Sequence, residues 1–185
     1  MKLGILFSGG KDSMYAAYLA KKSGYTISCL ISVFSDNKES WMFHTPSIEQ
    51  VEKQAEVINV PLLVGKTKGG KEVELFDLEK IIKIAINKYK IEGIVTGAIA
   101  SVYQTSRIQK ICNNLEIECF NPLWLKNQEE HLQDLIKNKF EIIVTGVFAF
   151  PLGKIFLGKN IDNKFIDEMK LLNKKYGINP AGEGG

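Results

Sequence analysis

Residues 8–13, SGGKDS, gather two hydroxyls, two adjacent glycines, an ammonium and a carboxylate within one short stretch. Those residue types in that order suit the holding of a phosphate. Gly9 and Gly10 let the backbone approach a ligand and take up positive φ, Ser8 and Ser13 supply hydroxyl donors, and Lys11 supplies a compact positive charge. A helix starting here, with Asp12 or Ser13 as its N-cap, would aim unpaired N–H groups and the positive end of its dipole back at the loop. Such a terminus binds anions. The spacing is not that of Walker A, which needs a glycine six residues before its lysine, where this chain has Ile5. The dinucleotide fingerprint fails as well, because Gly9 and Gly10 are adjacent and a third glycine is missing. A bare glycine turn feeding an ordinary helix would explain the glycines and the cap, and leave Ser8, Lys11 and Ser13 without a reason.

The flanking elements must position this loop. Residues 2–7 are mostly apolar and read as a strand, and 12–22 carry Met14, Ala17, Tyr18 and Ala20 at helical spacing. A β-rich run follows at 26–34. Ile48, Val51, Ala55 and Ile58 then share one face of a helix over 47–58, with Pro46 and Ser47 as start signals. Residues 61–65 read as a third strand. Leu75, Leu78, Ile81, Ile82, Ala85, Ile86 and Tyr89 make the next helix, 94–96 a strand, 101–115 a helix and 118–120 a fifth strand. Strict alternation with short links predicts an α/β fold: a doubly wound, Rossmann-like, five-stranded parallel sheet covered on both faces. Ligands of such sheets lie beyond the carboxyl ends of the strands, near the point where strand order reverses. Residues 8–13, 40–44, 97–107 and 121–124 all fall at that edge. The remainder reads as a helix with Leu132, Leu135 and Ile136, a strand over 142–148, a Gly/Pro loop, and a helix with Phe165, Met169, Leu172 and Tyr176. The expected division is a nucleotide-binding domain, 1–124, and a smaller C-terminal α/β domain, 125–185, walling the substrate cleft.

Composition narrows the class. The chain has 185 residues, enough for a good core, and its 24% charged and 45% hydrophobic content is that of a globular protein. No apolar run approaches the length of a membrane span, and the N-terminus runs into a strand without a signal-peptide pattern, so a soluble, cytoplasmic protein with no membrane partner is expected. The formal net charge of +3 is too small to argue for a nucleic-acid partner, and no basic stripe with interleaved aromatics occurs. Cys29, Cys112 and Cys119 sit in apolar patterns without a C-x-x-C pair, which predicts core thiols rather than a disulfide, metal site or sulfur carrier.

SGGKDS also resembles the PP-loop of the ATP pyrophosphatases, which split ATP between its α- and β-phosphates. Together with SWMFH (40–44), GAIASVYQTSR (97–107), NPLW (121–124) and NPAGEGG (179–185), it makes the chain similar to the diphthine-ammonia ligase, or diphthamide synthetase, family over essentially its whole length. The resemblance implies an adenine nucleotide alpha hydrolase-like sheet. It also implies a reaction in which the carboxylate of diphthine, a modified histidine on translation elongation factor 2, becomes an amide using ATP and ammonia, with release of AMP and pyrophosphate.

On that reading Ser8, Gly9, Gly10, Lys11, Asp12 and Ser13 bind ATP. Lys11 steadies the leaving pyrophosphate, and Asp12 binds Mg²⁺ directly or through water. Gly97 and Ala98 either leave room for adenine or ribose or serve close helix-sheet packing. Gln104 and Arg107 share a helix face, where Arg107 clamps phosphate or substrate carboxylate unless it is a solvated surface residue. His44 is assigned to the substrate site, with a hydrogen-bonded structural histidine as the other reading. Trp41, Met42 and Trp124 read as core, and His131, in a polar helix stretch, receives no role. Asn179 and Glu183 are the strongest candidates outside the loop. Glu183, among glycines, would bind ammonium and help take its proton, or orient the diphthine group, against the plain reading of a frayed terminus. The family's pattern is expected to continue past Glu183, so a chain ending at Gly185 reads as truncated or short.

A PP-loop enzyme modifying tRNA would want catalytic cysteines and a basic accessory region, and neither is seen. A sensor that binds ATP without chemistry would keep the loop and show no turnover. The nitrogen donor is expected to be free ammonium, since about sixty residues after the sheet leave no room for a glutaminase unit. The oligomeric state stays open.

Overall fold

The computed structural model describes residues 1–36 and 50–182. Strands and helices alternate: β1 (Lys2–Leu6), α1 (Lys11–Lys22), β2 (Thr26–Ser35), α2 (Val51–Ile58), β3 (Leu62–Thr67), α3 (Lys71–Tyr89), β4 (Gly93–Val95), α4 (Val102–Asn114) and β5 (Glu118–Phe120). The five strands form one parallel sheet in the order β3-β2-β1-β4-β5. Order reverses between β1 and β4, so the loops leaving those two strands flank the crevice where a doubly wound sheet takes its ligand.

Period-2 alternation divides the strands between two faces. Cys29, Ile31 and Val33 of β2 pack with Leu78, Ile81, Ile82 and Ala85 of α3 and Ile108, Ile111 and Cys112 of α4. The intervening residues Leu3, Ile5 and Leu30 are fully buried, and Leu3 shares a cavity with Leu19 and Ala20 of α1. The apolar stripe of α3, read from spacing, is borne out by the burial of Leu78, Ile81, Ile82 and Ala85.

The chain divides into two compact units, one of Met1–Ala98 and Val102–Leu123, the other of Ile99–Ser101 and Trp124–Gly185. The second contains α5 (Gln128–Lys137), a 3-10 turn at Lys154–Phe156 and α6 (Asn163–Tyr176). Asn127 caps α5, its side-chain oxygen accepting from the Glu129 and Glu130 amides at 2.9 and 3.1 Å, and Asp162 caps α6 through the Phe165 amide at 2.8 Å. The small core is Phe156, Phe165 and Met169, with Val144, Val147, Leu152, Ile161 and Leu172 packed around it.

One expected element is absent. Residues 142–148 form no strand; only Ile143 bridges, antiparallel, to Asn160. Val144 donates to the Lys159 carbonyl, and Gly158 and Ile161 donate to the Val144 and Ile142 carbonyls, but among the described residues the pairing goes no further along the run. Val144 and Val147 still pack on the small core, which is the burial that made the run look like a strand.

Candidate functional site

The loop opens where β1 ends. The Phe7 amide donates to the Ile31 carbonyl at 2.8 Å, and the buried Ser32 hydroxyl donates to the Phe7 carbonyl. The residue before the turn is thus locked to β2. Gly9 then takes φ = 76°, the left-handed region that glycine enters without a Cβ penalty. The Ser8 and Ser13 hydroxyls meet at 3.2 Å, Ser13 Oγ accepts from the Ser8 amide at 3.3 Å and donates to the Gly10 carbonyl at 3.0 Å, and the Gly10 amide donates to Ser8 Oγ at 3.3 Å. The amide bonds at 3.3 Å are longer than usual and correspondingly weak. A phosphate oxygen can replace them at little cost.

The helix starts one residue earlier than expected, and its N-cap is neither Asp12 nor Ser13. Gly10 holds that position in extended conformation, with no side chain capping the first turn. Ser13, 5% exposed, turns its hydroxyl back into the loop, and Asp12 pairs with the Lys11 ammonium at 2.8 Å. Both candidate caps are engaged elsewhere, so no side-chain oxygen competes with an incoming anion for the helix terminus. The Lys11 and Asp12 side chains are only 16% and 21% exposed, which keeps their charges close to the loop and poorly screened.

Gly97, in the loop after β4, stands against this same turn. A Cβ there would lie 2.6 Å from the Ser13 nitrogen and 2.7 Å from the Asp12 carbonyl carbon. The close-packing reading of Gly97 therefore has a contact behind it: the β4 loop and the first turn of α1 touch backbone to backbone. Ala98 is 7% exposed, and its amide donates to Thr96 Oγ1 at 3.2 Å. Thr96 in turn donates to Asn121 Oδ1 at 2.6 Å, tying the end of β4 to the NPLW segment after β5.

Arg107 lies on its own helix, its guanidinium carbon 3.6 Å from the Tyr103 ring centroid and Nη1 3.4 Å from the Tyr103 carbonyl. That stacking holds the group half-buried rather than waving in solvent. Gln104 is also half-buried on α4. In the second unit Asn179 accepts from the Gly182 amide at 3.0 Å, and the Ala181 amide donates to Gln128 Oε1 at 2.9 Å. With Ile178 and Ala181 buried at 6% and 5%, the chain through residue 182 is anchored. His44, Trp41, Met42 and Glu183 lie outside the described residues.

No group of three or more His, Cys, Asp and Glu side chains among the described residues could hold a metal ion by itself. Mg²⁺ is usually held by one or two carboxylates plus substrate phosphates, and Asp12, at the head of the loop, fits that mode.

Two residues were not legible from spacing. Gln54 of α2 donates from Nε2 to the Gly9 carbonyl at 3.1 Å, although it is one polar position among several in its helix. His131, expected on a polar stretch, is fully buried in α5. The cysteines are free thiols. Burial pushes the Cys29 thiol up to about 12. Cys112 is raised by donating its hydrogen bond to Cys119 and by burial, and Cys119 is lowered chiefly by receiving that bond.

Comparison with known proteins follows the same outline. Residues 1–119 match the diphthamide synthase N-terminal domain and residues 127–185 its C-terminal domain. The chain belongs to the diphthamide synthase family. It is 33% identical over 206 residues to the diphthine-ammonia ligase of Bos taurus and 32% over 208 to that of Homo sapiens, in each case covering all of this chain and 76% of the relative. That of Schizosaccharomyces pombe is 31% identical over 202 residues, which span 33% of its length. A solved structure described as a predicted subunit of tRNA methyltransferase from Methanocaldococcus jannaschii superposes with a TM-score of 0.52 at 20% identity, covering 97% of this chain and 90% of that one. That likeness concerns the fold. The doubly wound parallel sheet expected from the alternation of elements is the architecture seen here, and among the described residues no helix is long and apolar enough to cross a membrane.

Proposed function

We propose that this chain is a diphthine-ammonia ligase: it amidates the carboxylate of diphthine on translation elongation factor 2 with ammonia, converting ATP to AMP and pyrophosphate. The observation that carries the reading is an uncapped helix terminus with Ser8, Lys11 and Ser13 around it, in a chain matched along its length by family ligases. A carboxylate is a poor electrophile. It attacks the α-phosphorus of ATP, pyrophosphate leaves, and ammonia then displaces AMP from the acyl-adenylate. Charge builds on the leaving pyrophosphate during the first step, so donors aimed there lower the barrier most.

Lys11 is the mobile part of that set. Its ammonium rests on the Asp12 carboxylate and can turn to a phosphate oxygen without first being gathered from solvent. Asp12 would hold Mg²⁺, which neutralises charge on the bound phosphates. Arg107, preorganised on Tyr103, and Gln104 are assigned to phosphate or substrate carboxylate, and Gly97 and Ala98 to the nucleotide. His44, Asn179 and Glu183 are assigned to the substrate, with Glu183 taking the ammonium proton. The test is to incubate the protein with ATP, Mg²⁺, an ammonium salt and diphthine-bearing elongation factor 2. AMP and pyrophosphate should form in step with amide, and activity should vanish with EDTA. ADP and orthophosphate as main products would refute the assignment.

A further inference from the structure

Gln54 reaches the loop from outside it. Besides the bond from its Nε2 to the Gly9 carbonyl, it closes tightly on the glycine. A Cβ at Gly9 would stand 2.7 Å from Gln54 Oε1 and 3.0 Å from Cγ2 of the fully buried Val51. At the other end of the same peptide unit, the Gly10 amide donates to Ser8 Oγ at 3.3 Å. In a planar trans peptide the C=O and N–H point in opposite directions. Holding the Gly9 oxygen against α2 therefore turns the Gly10 N–H toward the side where the Ser8 and Ser13 hydroxyls meet.

Nothing else in the covalent structure demands that orientation. With glycine on both sides of the bond, the plane can rotate through conformations that other residues avoid. Turned over, it would present a carbonyl oxygen to the phosphates in place of a donor. Gln54 also keeps an unfavourable arrangement in order to donate. The Gly9 oxygen can only accept, so the amide nitrogen must face it, and Gln54 Oε1 is left buried with no hydrogen-bond partner among the described residues. A side chain needed only to fill that space would be better apolar.

We infer that Gln54 is a positioning residue for pyrophosphate departure, clamping the Gly9–Gly10 peptide so that its amide, and not its carbonyl, faces the phosphates. The inference rests on the loop holding the pyrophosphate part of ATP. Its effect is expected at the phosphates, because the peptide it clamps turns its amide toward the Ser8 and Ser13 hydroxyls.

Two variants separate the clamp from simple packing. Gln54→Met keeps the length of the side chain and removes the donor. Gln54→Glu keeps the shape and replaces the donor by an acceptor, so it remains usable if the methionine variant does not fold. Pyrophosphate and adenosine binding are measured by titration calorimetry on the full chain, with steady-state conversion of ATP to AMP alongside. The expected result is pyrophosphate affinity down about 10-fold in Gln54→Met, the worth of roughly one hydrogen bond, and further in Gln54→Glu, with adenosine affinity unchanged. The kcat should fall by more than the KM for ATP rises, since the leaving charge is greatest in the transition state. A folded variant that binds pyrophosphate like the parent protein overturns the inference, and so does equal loss of pyrophosphate and adenosine binding, which would mean that α2 only supports the fold. If the unsubstituted protein neither binds pyrophosphate nor makes AMP, the reading of the loop itself fails and takes this inference with it.

Discussion

Replacing Gly97 by alanine asks whether the shape of the loop proposed to hold the phosphates, apart from its charges, sets the rate. The added Cβ would begin 2.6 Å from the Ser13 nitrogen and 2.9 Å from its Cα, both backbone atoms that cannot swing aside. To reach even a tight contact of 3.0–3.4 Å, the β4 loop and the first turn of α1 must part by roughly 0.4–0.8 Å. Overpacking of this kind costs about 1–3 kcal/mol, or about 2–12 °C in Tm for a chain of this size. The same shift moves Ser13, Lys11 and the helix terminus relative to the α-phosphorus. Misplacement approaching 1 Å costs roughly 10²-fold in rate, so kcat should drop by about 10- to 100-fold. Gly10→Ala is the control. Its Cβ would meet only Ser8 Oγ, at 3.3 Å, and its φ of −81° suits any residue. That variant should keep its Tm within about 2 °C, the shift expected of roughly 0.5 kcal/mol. It should lose activity only as far as the methyl group blocks an approaching phosphate. The assay is AMP release at saturating ATP, with thermal unfolding followed by circular dichroism. A Gly97→Ala protein with unchanged Tm and full turnover would refute the argument from contact, and equal loss of Tm in both variants would show that the loop tolerates no side chain for reasons other than those distances.

Lys11→Ala should lower turnover by ~10²- to 10³-fold, the effect of removing one preorganised donor; near-normal turnover in the folded variant would end its role. Thr96→Val should destabilise the first unit by about 1–3 kcal/mol, since Thr96 is 2% exposed and the change strands the Ala98 amide and Asn121 Oδ1; urea unfolding that matches the parent protein would show that the bridge contributes nothing. Cys119, its thiol lowered by the bond from Cys112, should react with iodoacetamide at lower pH than a free cysteine, whereas Cys29, pushed up to about 12, should stay unlabelled through mildly alkaline pH. Peptide mass spectrometry against pH reads both, and first labelling at Cys29 would contradict the geometry. With ammonia as the reactive donor, amide formation at low ammonium should rise with pH across the mildly alkaline range; comparable yield from glutamine, with contaminating ammonia excluded, would reveal a donor site elsewhere.

Local chemistry was enough to read much of this protein from its residues. SGGKDS reads as a loop suited to phosphate because its donors are neighbours in the chain, and the five strands and the helices between them follow from period and punctuation, which are also local properties. What the sequence could not carry was pairing at a distance. Whether residues 142–148 become a strand depends on a partner to bond with, and the apolar spacing of Val144 and Val147 is satisfied equally by packing on Phe156, Phe165 and Met169. The cap of α1 fell to Gly10 because Ser13 and Asp12 had better partners in Ser8, the Gly10 carbonyl and Lys11, a competition decided by three-dimensional reach. Gly97 is recognisable as a glycine in any reading, but its reason, the backbone of Asp12 and Ser13 lying 2.6–2.9 Å from where a Cβ would be, exists only once strand order has brought β4 beside β1. Gln54 is the extreme case. Its helix follows β2, which lies beside β1 in the sheet, and nothing in its own neighbourhood along the chain marks it, because the group it holds is 45 residues away.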